Sequence, residues 1–227
     1  FNNPGITAND AFKPVTRYFD RITRPEQIIQ SFPAAVQTML DPADCGPACI
    51  ALSQDVQGQT FDYPEEFFKE RVHAIRRPRP DEFQIKEAAE KIKSSKNPII
   101  ISGGGVFYSD AMEELSQFAI KHNIPVTQTV MGYSTMKRDH SHFAGQIGGL
   151  GGKNTNTLAK ETDLAIAVGT KLADFTTGSW ANFENENFKL VSINVSRFDA
   201  NKHLAQAVVG DAKVSLTELS QALGNWK

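Results

Sequence analysis

The stretch Asn97-Pro-Ile-Ile-Ile-Ser-Gly-Gly-Gly-Val106 decides the fold, because its apolar run ends in three glycines and leads at once into a helical pattern at 110–120. A short continuous apolar run is typical of a buried parallel strand. Glycines at its carboxyl end allow the backbone to approach a ligand or a neighbouring chain closely. Open α/β sheets bind their ligands at that end of the strands. The stretch therefore predicts an α/β fold, with Gly103, Gly104 and Gly105 as candidate binding residues.

Strand and helix patterns alternate from residue 81 to residue 223. The predicted strands are 98–101, 124–130, 163–168, 190–194 and 206–209, and the predicted helices carry apolar stripes within 85–92, 112–119, 154–161 and 214–223. Parallel neighbours need crossover connections, and right-handed crossovers in the two directions place helices on both faces of the sheet. The pattern predicts a doubly wound, mainly parallel sheet with helices on both faces, which is a Rossmann-like domain.

The front of the chain is organised differently. A capping-box pattern at Thr23-Arg-Pro-Glu26 precedes a helical stripe, and Ala48–Leu52 is typical of a strand. One helix and one strand amount to part of a domain. Charge and proline increase towards Arg76-Arg-Pro-Arg-Pro80, which favours a solvated connector over a phosphate-binding patch. We therefore predict a partial α/β segment at 1–63, a linker at 64–80 and the Rossmann-like domain at 81–227.

The composition of the chain limits the classes of partner that we expect it to bind. The chain has 227 residues, of which 40% are hydrophobic, and its 24 basic and 26 acidic residues give a formal charge of -2. This balance provides no electrostatic reason to expect nucleic acid or an anionic membrane as a partner. No apolar run approaches the roughly 20 residues of a membrane span, and no leader pattern is present, so we expect a cytoplasmic protein. Two cysteines cannot complete a four-ligand zinc site, and we expect no metal site.

Several segments, taken together and in order, resemble the central domain of thiamine-diphosphate-dependent enzymes of the acetolactate synthase type. They are Gly103–Val106, Ile124–Gly132, Asp139-His140, Asp163–Gly169 and Val209–Lys213. Phe12–Val15 and Gly46–Gln57 are similar to the end of the pyrimidine-binding domain that precedes the central domain in this family. The resemblance therefore implies that residues 1–63 are the last part of a pyrimidine-binding domain.

The resemblance also implies an activity for a longer parent. Gly145–Gly152, Val168–Trp180 and Asn194–Asp199 are most similar to a hydrolase branch that cleaves a ring C–C bond next to a carbonyl, with water opening the ring. The resemblance implies that such a parent is a homo-oligomer that uses thiamine diphosphate and magnesium, with its pyrimidine- and diphosphate-binding domains as the partners of this region. The family's activating glutamate has no counterpart here, and Gly210-Asp-Ala212 lacks the second glycine of the Gly-Asp-Gly magnesium motif. The resemblance thus implies no catalytic residue and no cofactor in this chain, which is expected to be inactive alone.

A nucleotide cleft is the alternative, since several members of the family hold FAD or ADP in this domain. The matching positions are Gly103, Gly104, Gly105, Gly169, Thr170, Lys171 and Asn194. Asn194 stands where FAD binders often carry aspartate, and Tyr108 occupies the third glycine position of a dinucleotide fingerprint. These departures argue against flavin, and the glycines can instead serve close packing. A self-sufficient nucleotide-binding module and an acetolactate synthase-like central domain remain open, whereas NAD enzymes of the sirtuin type need zinc ligands that this sequence lacks.

Overall fold

Two separately packed units make up the chain, whose residues 5–227 are described by a computed structural model. The first unit extends to Arg76 and the second runs from Arg77 to Lys227. The junction between them lies inside the predicted linker at 64–80. The assignment of 1–63 and 81–227 to particular domains of a larger enzyme stays a prediction.

The first unit is a two-stranded parallel sheet with one long helix. Its elements are β1 (Tyr18–Ile22), α1 (Ile28–Leu40), β2 (Ala48–Leu52) and α2 (Gln54–Gln57), with 3-10 turns at Ala8–Val15, Pro25–Gln27 and Glu65–Phe68. The capping box predicted for Glu26 is wrong, because the side chain of Gln27 makes the cap. Its Oε1 accepts hydrogen bonds from the backbone N–H groups of Thr23 (2.7 Å) and Arg24 (2.9 Å). The helix therefore begins one turn later than the sequence pattern indicates.

The second unit contains one six-stranded parallel sheet. Its strands are β3 (Pro98–Ser102), β4 (Val126–Gln128), β5 (Phe143–Gln146), β6 (Leu164–Val168), β7 (Lys189–Asn194) and β8 (Gln206–Val209). Its helices are α3 (Glu82–Lys93), α4 (Gly104–Tyr108), α5 (Met112–His122), α6 (Lys153–Glu161), α7 (Asp174–Thr177), α8 (Arg197–Ala200) and α9 (Ala212–Leu223). The strand order is β5-β4-β3-β6-β7-β8, which is the order of a doubly wound sheet.

Both faces of this sheet are covered. The side chains of Leu164, Ile166 and Val168 on β6 belong to one core cluster, which also contains the apolar stripes of α3, α5 and α9. Ala165 and Ala167, which alternate with them, belong to a second cluster that includes residues of α6. Side chains of a strand point alternately to opposite faces, so the two clusters lie on opposite sides of the sheet. The predicted fold class is confirmed.

Two arginines of the predicted linker are fastened to the second unit. Arg77 donates to Asp211 Oδ2 at 3.2 Å, and Arg79 donates from Nε to Glu218 Oε1 at 2.9 Å. Asp211 is 5% exposed and also caps the first turn of α9 with its carboxylate. These guanidinium groups are therefore occupied by carboxylates, which agrees with rejecting a phosphate patch, and the part of the connector after Arg76 belongs structurally to the sheet domain.

The end of the chain is held by a buried histidine. His122 is 1% exposed, with Nδ1 2.8 Å from the carbonyl of Trp226 and Nε2 3.1 Å from the hydroxyl of Ser220. The neutral ring satisfies both partners when Nδ1–H donates to the carbonyl and Nε2 accepts from the hydroxyl. Burial lowers the pKa of His122 below its ordinary value of 6.5, the Trp226 carbonyl opposes this, and the nearby charge of Lys121 adds to it.

This pKa shift predicts a pH-dependent stability. Well above pH 6.5 the ring is neutral in both states, so the contribution of His122 to stability is complete. As the pH falls through 6.5 the unfolded state takes up a proton first, and the free energy of unfolding falls until the lowered folded pKa is passed. Urea unfolding of the second unit measured across this window is expected to show the fall. His122→Gln is expected to remove its share of the slope, and the control His203→Gln, at an exposed histidine of the same unit, is expected to leave it unchanged. Equal slopes in all three proteins would contradict the assignment.

Candidate functional site at the carboxyl edge of the sheet

The chain reverses its direction of winding between β3 and β6. It builds outward from β3 through β4 to β5, and then returns to place β6 beside β3, where Ser102 pairs with Val168. Open α/β sheets form their ligand crevice at such a switch point, beside the loops that follow the two adjacent strands. The structure therefore brings two predicted groups together, Gly103–Gly105 after β3 and Gly169–Lys171 after β6.

These two glycine segments contact each other through their backbones. Gly103 N–H donates to the carbonyl of Val168 (2.9 Å), and Gly105 N–H donates to the carbonyl of Gly169 (2.9 Å). A Cβ atom placed on Gly103 would lie 2.4 Å from the carbonyl oxygen of Gly169, and one placed on Gly105 would lie 2.6 Å from its Cα. Gly169 itself has φ +60, a left-handed conformation that favours glycine. The glycines thus serve the close approach of two loops.

A phosphate cradle needs backbone N–H groups that point into free space. Here the N–H groups of Gly103 and Gly105 are already used, and that of Val106 donates back to Gly103 at 3.1 Å. Gly104 is the exception among the three glycines, since the hydrogen bonds of the described residues include none from its backbone nitrogen. One available donor does not make a pyrophosphate site, so this geometry favours the packing role over the nucleotide cleft.

The other three candidate residues of the predicted cleft differ in burial. Asn194, 8% exposed, donates to the carbonyl of Thr170 (3.2 Å) and accepts from the N–H of Ser196 (2.9 Å). Thr170 is buried, and its hydroxyl accepts from the N–H of Leu172 (3.3 Å). Lys171 is exposed. The two polar side chains beside the glycines therefore hold the conformation of the loop after β6, and Lys171 is the one residue of the three that is exposed.

We expect FAD, ADP and NAD each to leave the melting temperature of this chain unchanged. A ligand that binds only the folded state at 100 times its dissociation constant stabilises it by about 2.7 kcal/mol, which is easily measured by thermal shift. The absence of a shift at millimolar nucleotide would support the packing role. A reproducible rise with any of the three would contradict it, and a rise that Lys171→Ala removes would locate the nucleotide at this loop.

A buried polar network underlies the neighbouring loop after β4. The side chains of Ser102, Gln128 and Thr135 are each 2% exposed or less. The hydroxyls of Ser102 and Thr135 lie 2.5 Å apart, and Gln128 Nε2 donates both to Thr135 (3.2 Å) and to the carbonyl of Met136 (3.0 Å). Buried hydrogen bonds of this kind fix a unique conformation when every member has a partner. The loop 129–136 is therefore a rigid part of the edge, a feature that the sequence reasoning missed.

The glycine-rich segment after β5 is also fastened. Gly148 N–H donates to Oδ1 of Asn156, whose Nδ2 donates back to the carbonyl of Gly148, both at 3.0 Å. Gly149 N–H donates to the carbonyl of Phe175 at 2.7 Å. The segment thus bridges α6 and α7 at the same edge of the sheet.

The opposite edge of the sheet is polar. Asp163, just before β6, accepts from the hydroxyl of Ser95 (2.5 Å) and from the N–H groups of Lys96 (2.8 Å) and Asn97 (3.0 Å). Burial raises the pKa of Asp163, but these hydrogen bonds outweigh burial and lower it overall. An open cleft of about 640 Å³ lies beside it, lined also by residues 185–189. Asp163 therefore anchors the loop Ser95–Asn97, and this structural role accounts for its hydrogen bonds.

Neither edge carries a metal centre in the part of the chain that the structure describes. Within residues 5–227, no group of three or more His, Cys, Asp or Glu side chains is placed to hold an ion. None of the helices in this range is long and apolar enough to cross a membrane.

Comparisons with known proteins place this geometry in context. Residues 85–219 match the family model described as thiamine pyrophosphate enzyme, central domain. The 3D-(3,5/4)-trihydroxycyclohexane-1,2-dione hydrolase of Clostridium perfringens (strain 13 / Type A) is 48% identical over 221 residues, covering 97% of this chain and 35% of its own length. The hydrolase of the same name from Bacillus subtilis (strain 168) is 47% identical over 225 residues, covering 98% and 35%. The chain therefore spans about a third of the length of the curated relatives it matches.

Solved structures show the same fold at lower identity. A thiamin diphosphate-dependent enzyme from Mycobacterium smegmatis superposes with a TM-score of 0.76 at 20% identity, covering 97% of this chain and 42% of that one. Benzoylformate decarboxylase from Polynucleobacter necessarius superposes with a TM-score of 0.78 at 22% identity, covering 100% and 42%. At these identities the likeness concerns the fold alone.

Proposed function

Because this chain belongs to the thiamine pyrophosphate enzyme family, whose central domain its residues 85–219 match, we propose that it is the central part of a hydrolase acting on 3D-(3,5/4)-trihydroxycyclohexane-1,2-dione in myo-inositol catabolism. The observation that carries the proposal is the 48% identity over 97% of the chain to a relative with that name. In the proposed reaction water adds across a ring C–C bond next to a carbonyl and opens the ring to a deoxyhexuronic acid.

The residues present here do not fit the cofactor of that chemistry. Asp211, the acid of the Gly210-Asp-Ala212 string, is 5% exposed and already caps α9 and pairs with Arg77, so it is not available as a magnesium ligand. The N–H groups of Gly103 and Gly105 are consumed within the protein. Thiamine diphosphate and magnesium therefore belong, in this proposal, to other domains of the parent, and no chemical step is assigned to this chain.

The proposed role of this chain is to provide structure. The second unit has a buried core on both faces of its sheet and rigid loops at the carboxyl edge, which suits a scaffold that holds other domains in place. The parent is proposed to be a cytoplasmic homo-oligomer in which pyrimidine- and diphosphate-binding domains complete the active site. Residues 1–63 are proposed to be the end of the pyrimidine-binding domain.

A direct assay tests the function. The full-length parent, supplied with thiamine diphosphate and magnesium, is expected to consume trihydroxycyclohexane-dione and release an open-chain acid, as followed by chromatography and mass spectrometry. The 227-residue chain under the same conditions is expected to give no turnover. Turnover by the chain alone would contradict the scaffold role.

An acetolactate synthase-like parent is the competing assignment. It would convert pyruvate into acetolactate and leave the cyclic diketone intact. Measuring both products with the same preparation decides between the two, because acetolactate formation without ring opening would overturn the hydrolase proposal.

A further inference from the structure

Apolar side chains stand exposed in four successive connections at the carboxyl edge of the sheet. They are Phe107 (57% exposed) and Tyr108 (83%) after β3, Met131 (74%) and Tyr133 (56%) after β4, Leu150 (63%) after β5 and Phe175 (67%) after β6. We call these six residues the apolar rim. All the strands are parallel, so every one of these connections leaves from the same edge.

Contacts between the connections support a shared surface. A Cβ atom on Gly104 would lie 3.6 Å from Cβ of Met131, which joins the segment of Phe107 and Tyr108 to the loop after β4. A Cβ atom on Gly149 would lie 3.6 Å from the ring of Phe175, which joins the segment of Leu150 to α7. The apolar rim thus consists of two pairs of adjoining loops.

The loop that carries Met131 and Tyr133 is held rigid. Beneath it lies the buried network of Ser102, Gln128 and Thr135, and Gly132 N–H donates to the hydroxyl of Thr129 at 2.9 Å. A rigid loop loses little conformational entropy when a partner binds. Aromatic and methionine side chains are also the residues enriched in protein interfaces. Rigidity and composition together are typical of a binding surface.

The two edges of the sheet differ in the polarity of their exposed side chains. The amino edge presents Asp163 with the polar loop Ser95–Asn97 and the segment Asn185–Lys189, as expected for a surface that faces water. The carboxyl edge presents large apolar side chains instead. Single exposed apolar residues need no explanation, but several on adjoining loops mark an interaction site.

We propose that the apolar rim is covered by polypeptide of the parent that lies outside these 227 residues. The proposal rests on the parent having the length of its relatives, of which this chain covers 35%, so most of such a parent is other polypeptide. A segment on the same chain has an effective concentration in the millimolar range, and the apolar character of the rim matches an apolar partner rather than a charged ligand.

Labelling at Met131 tests this. Met131→Cys is made in the background Cys45→Ser/Cys49→Ser, both in the 227-residue chain and in the full-length parent, and the rate of maleimide labelling of the peptide containing position 131 is measured by mass spectrometry. Labelling is expected to be at least about tenfold slower in the parent, because a covered site reacts only through local opening. The matched control Lys96→Cys, at the polar edge, is expected to change by less than about twofold for the same reason.

Each outcome decides the proposal. Equal rates at position 131 in the two proteins would overturn it, and so would equal slowing at positions 131 and 96. Slow labelling of either protein that speeds up on dilution would assign the apolar rim to a second copy instead, which also overturns it. The assay does not depend on turnover, so a parent that lacks hydrolase activity but protects position 131 would refute the proposed function and leave this inference standing.

Discussion

Residues 77–227 produced alone are expected to fold cooperatively, whereas residues 1–76 alone are expected to remain unfolded. The second unit encloses two core clusters around a six-stranded sheet. Among the described residues of the first unit the buried apolar side chains are Ile22, Ala35, Ala51 and Val56. Ordering a residue costs about 1–2 kcal/mol of backbone entropy, and so small a core does not offset that cost over this length.

The sheet of the first unit gives a second reason. Its two parallel strands have one neighbour each in the described structure. Parallel sheets occur almost only when both faces are covered, and isolated two-stranded units are marginal in water. We therefore expect residues 1–76 to need strands from elsewhere in the parent.

Circular dichroism and urea titration of three fragments check this expectation. Residues 77–227 are expected to give one sigmoidal transition, and residues 1–76 none. Residues 81–227, the domain predicted from the sequence, lack Arg77 and Arg79 and so leave the buried carboxylate of Asp211 without its cation. We expect this shorter fragment to be less stable by about 1–3 kcal/mol. A cooperative transition for residues 1–76 would show that the first unit is complete by itself.

The strands of the second unit differ in how clearly the sequence predicts them. An apolar run such as Leu164–Val168 is sufficient to predict a strand, because a central strand of a parallel sheet is buried on both faces and has no polar side. β5, Phe143–Gln146, was missed. It is a short edge strand whose residues are all half-buried, its pairing with β4 shifts register, and Gly145 has φ +100. Each of these features weakens the apolar pattern on which the prediction depends.

The site could be located but not interpreted. The glycines after a predicted strand and the family resemblance grouped the candidate residues in one cleft, and the structure brings Gly103, Gly169 and Asn194 together. The use of each N–H group depends on a contact between segments about 65 positions apart, which no local pattern contains. The sequence also does not predict that Met131 is exposed, because an apolar residue that follows a strand is compatible with a core position.

Gly103→Ala is expected to destabilise the second unit by about 1–3 kcal/mol, the usual cost of overpacking. Its new methyl group would lie 2.4 Å from the carbonyl oxygen of Gly169 and 2.5 Å from Cβ of Thr170, and backbone atoms on a buried strand end cannot move aside easily. The free energy of unfolding from urea titration of residues 77–227 measures this loss directly.

Gly104→Ala is the matched control, since it changes the adjacent glycine by the same methyl group. Its nearest neighbour would be the carbonyl oxygen of Met131 at 3.1 Å, a tight but tolerable contact, and Gly104 is the first residue of α4, where the helix preference for alanine over glycine offsets part of that contact. We therefore expect a net change close to zero. If the glycines formed a ligand cradle, the two substitutions would affect ligand binding alike and stability little. A pronounced loss of stability at Gly103 beside none at Gly104 is the result that only close packing of the two loops explains, and equal effects at both positions would refute it.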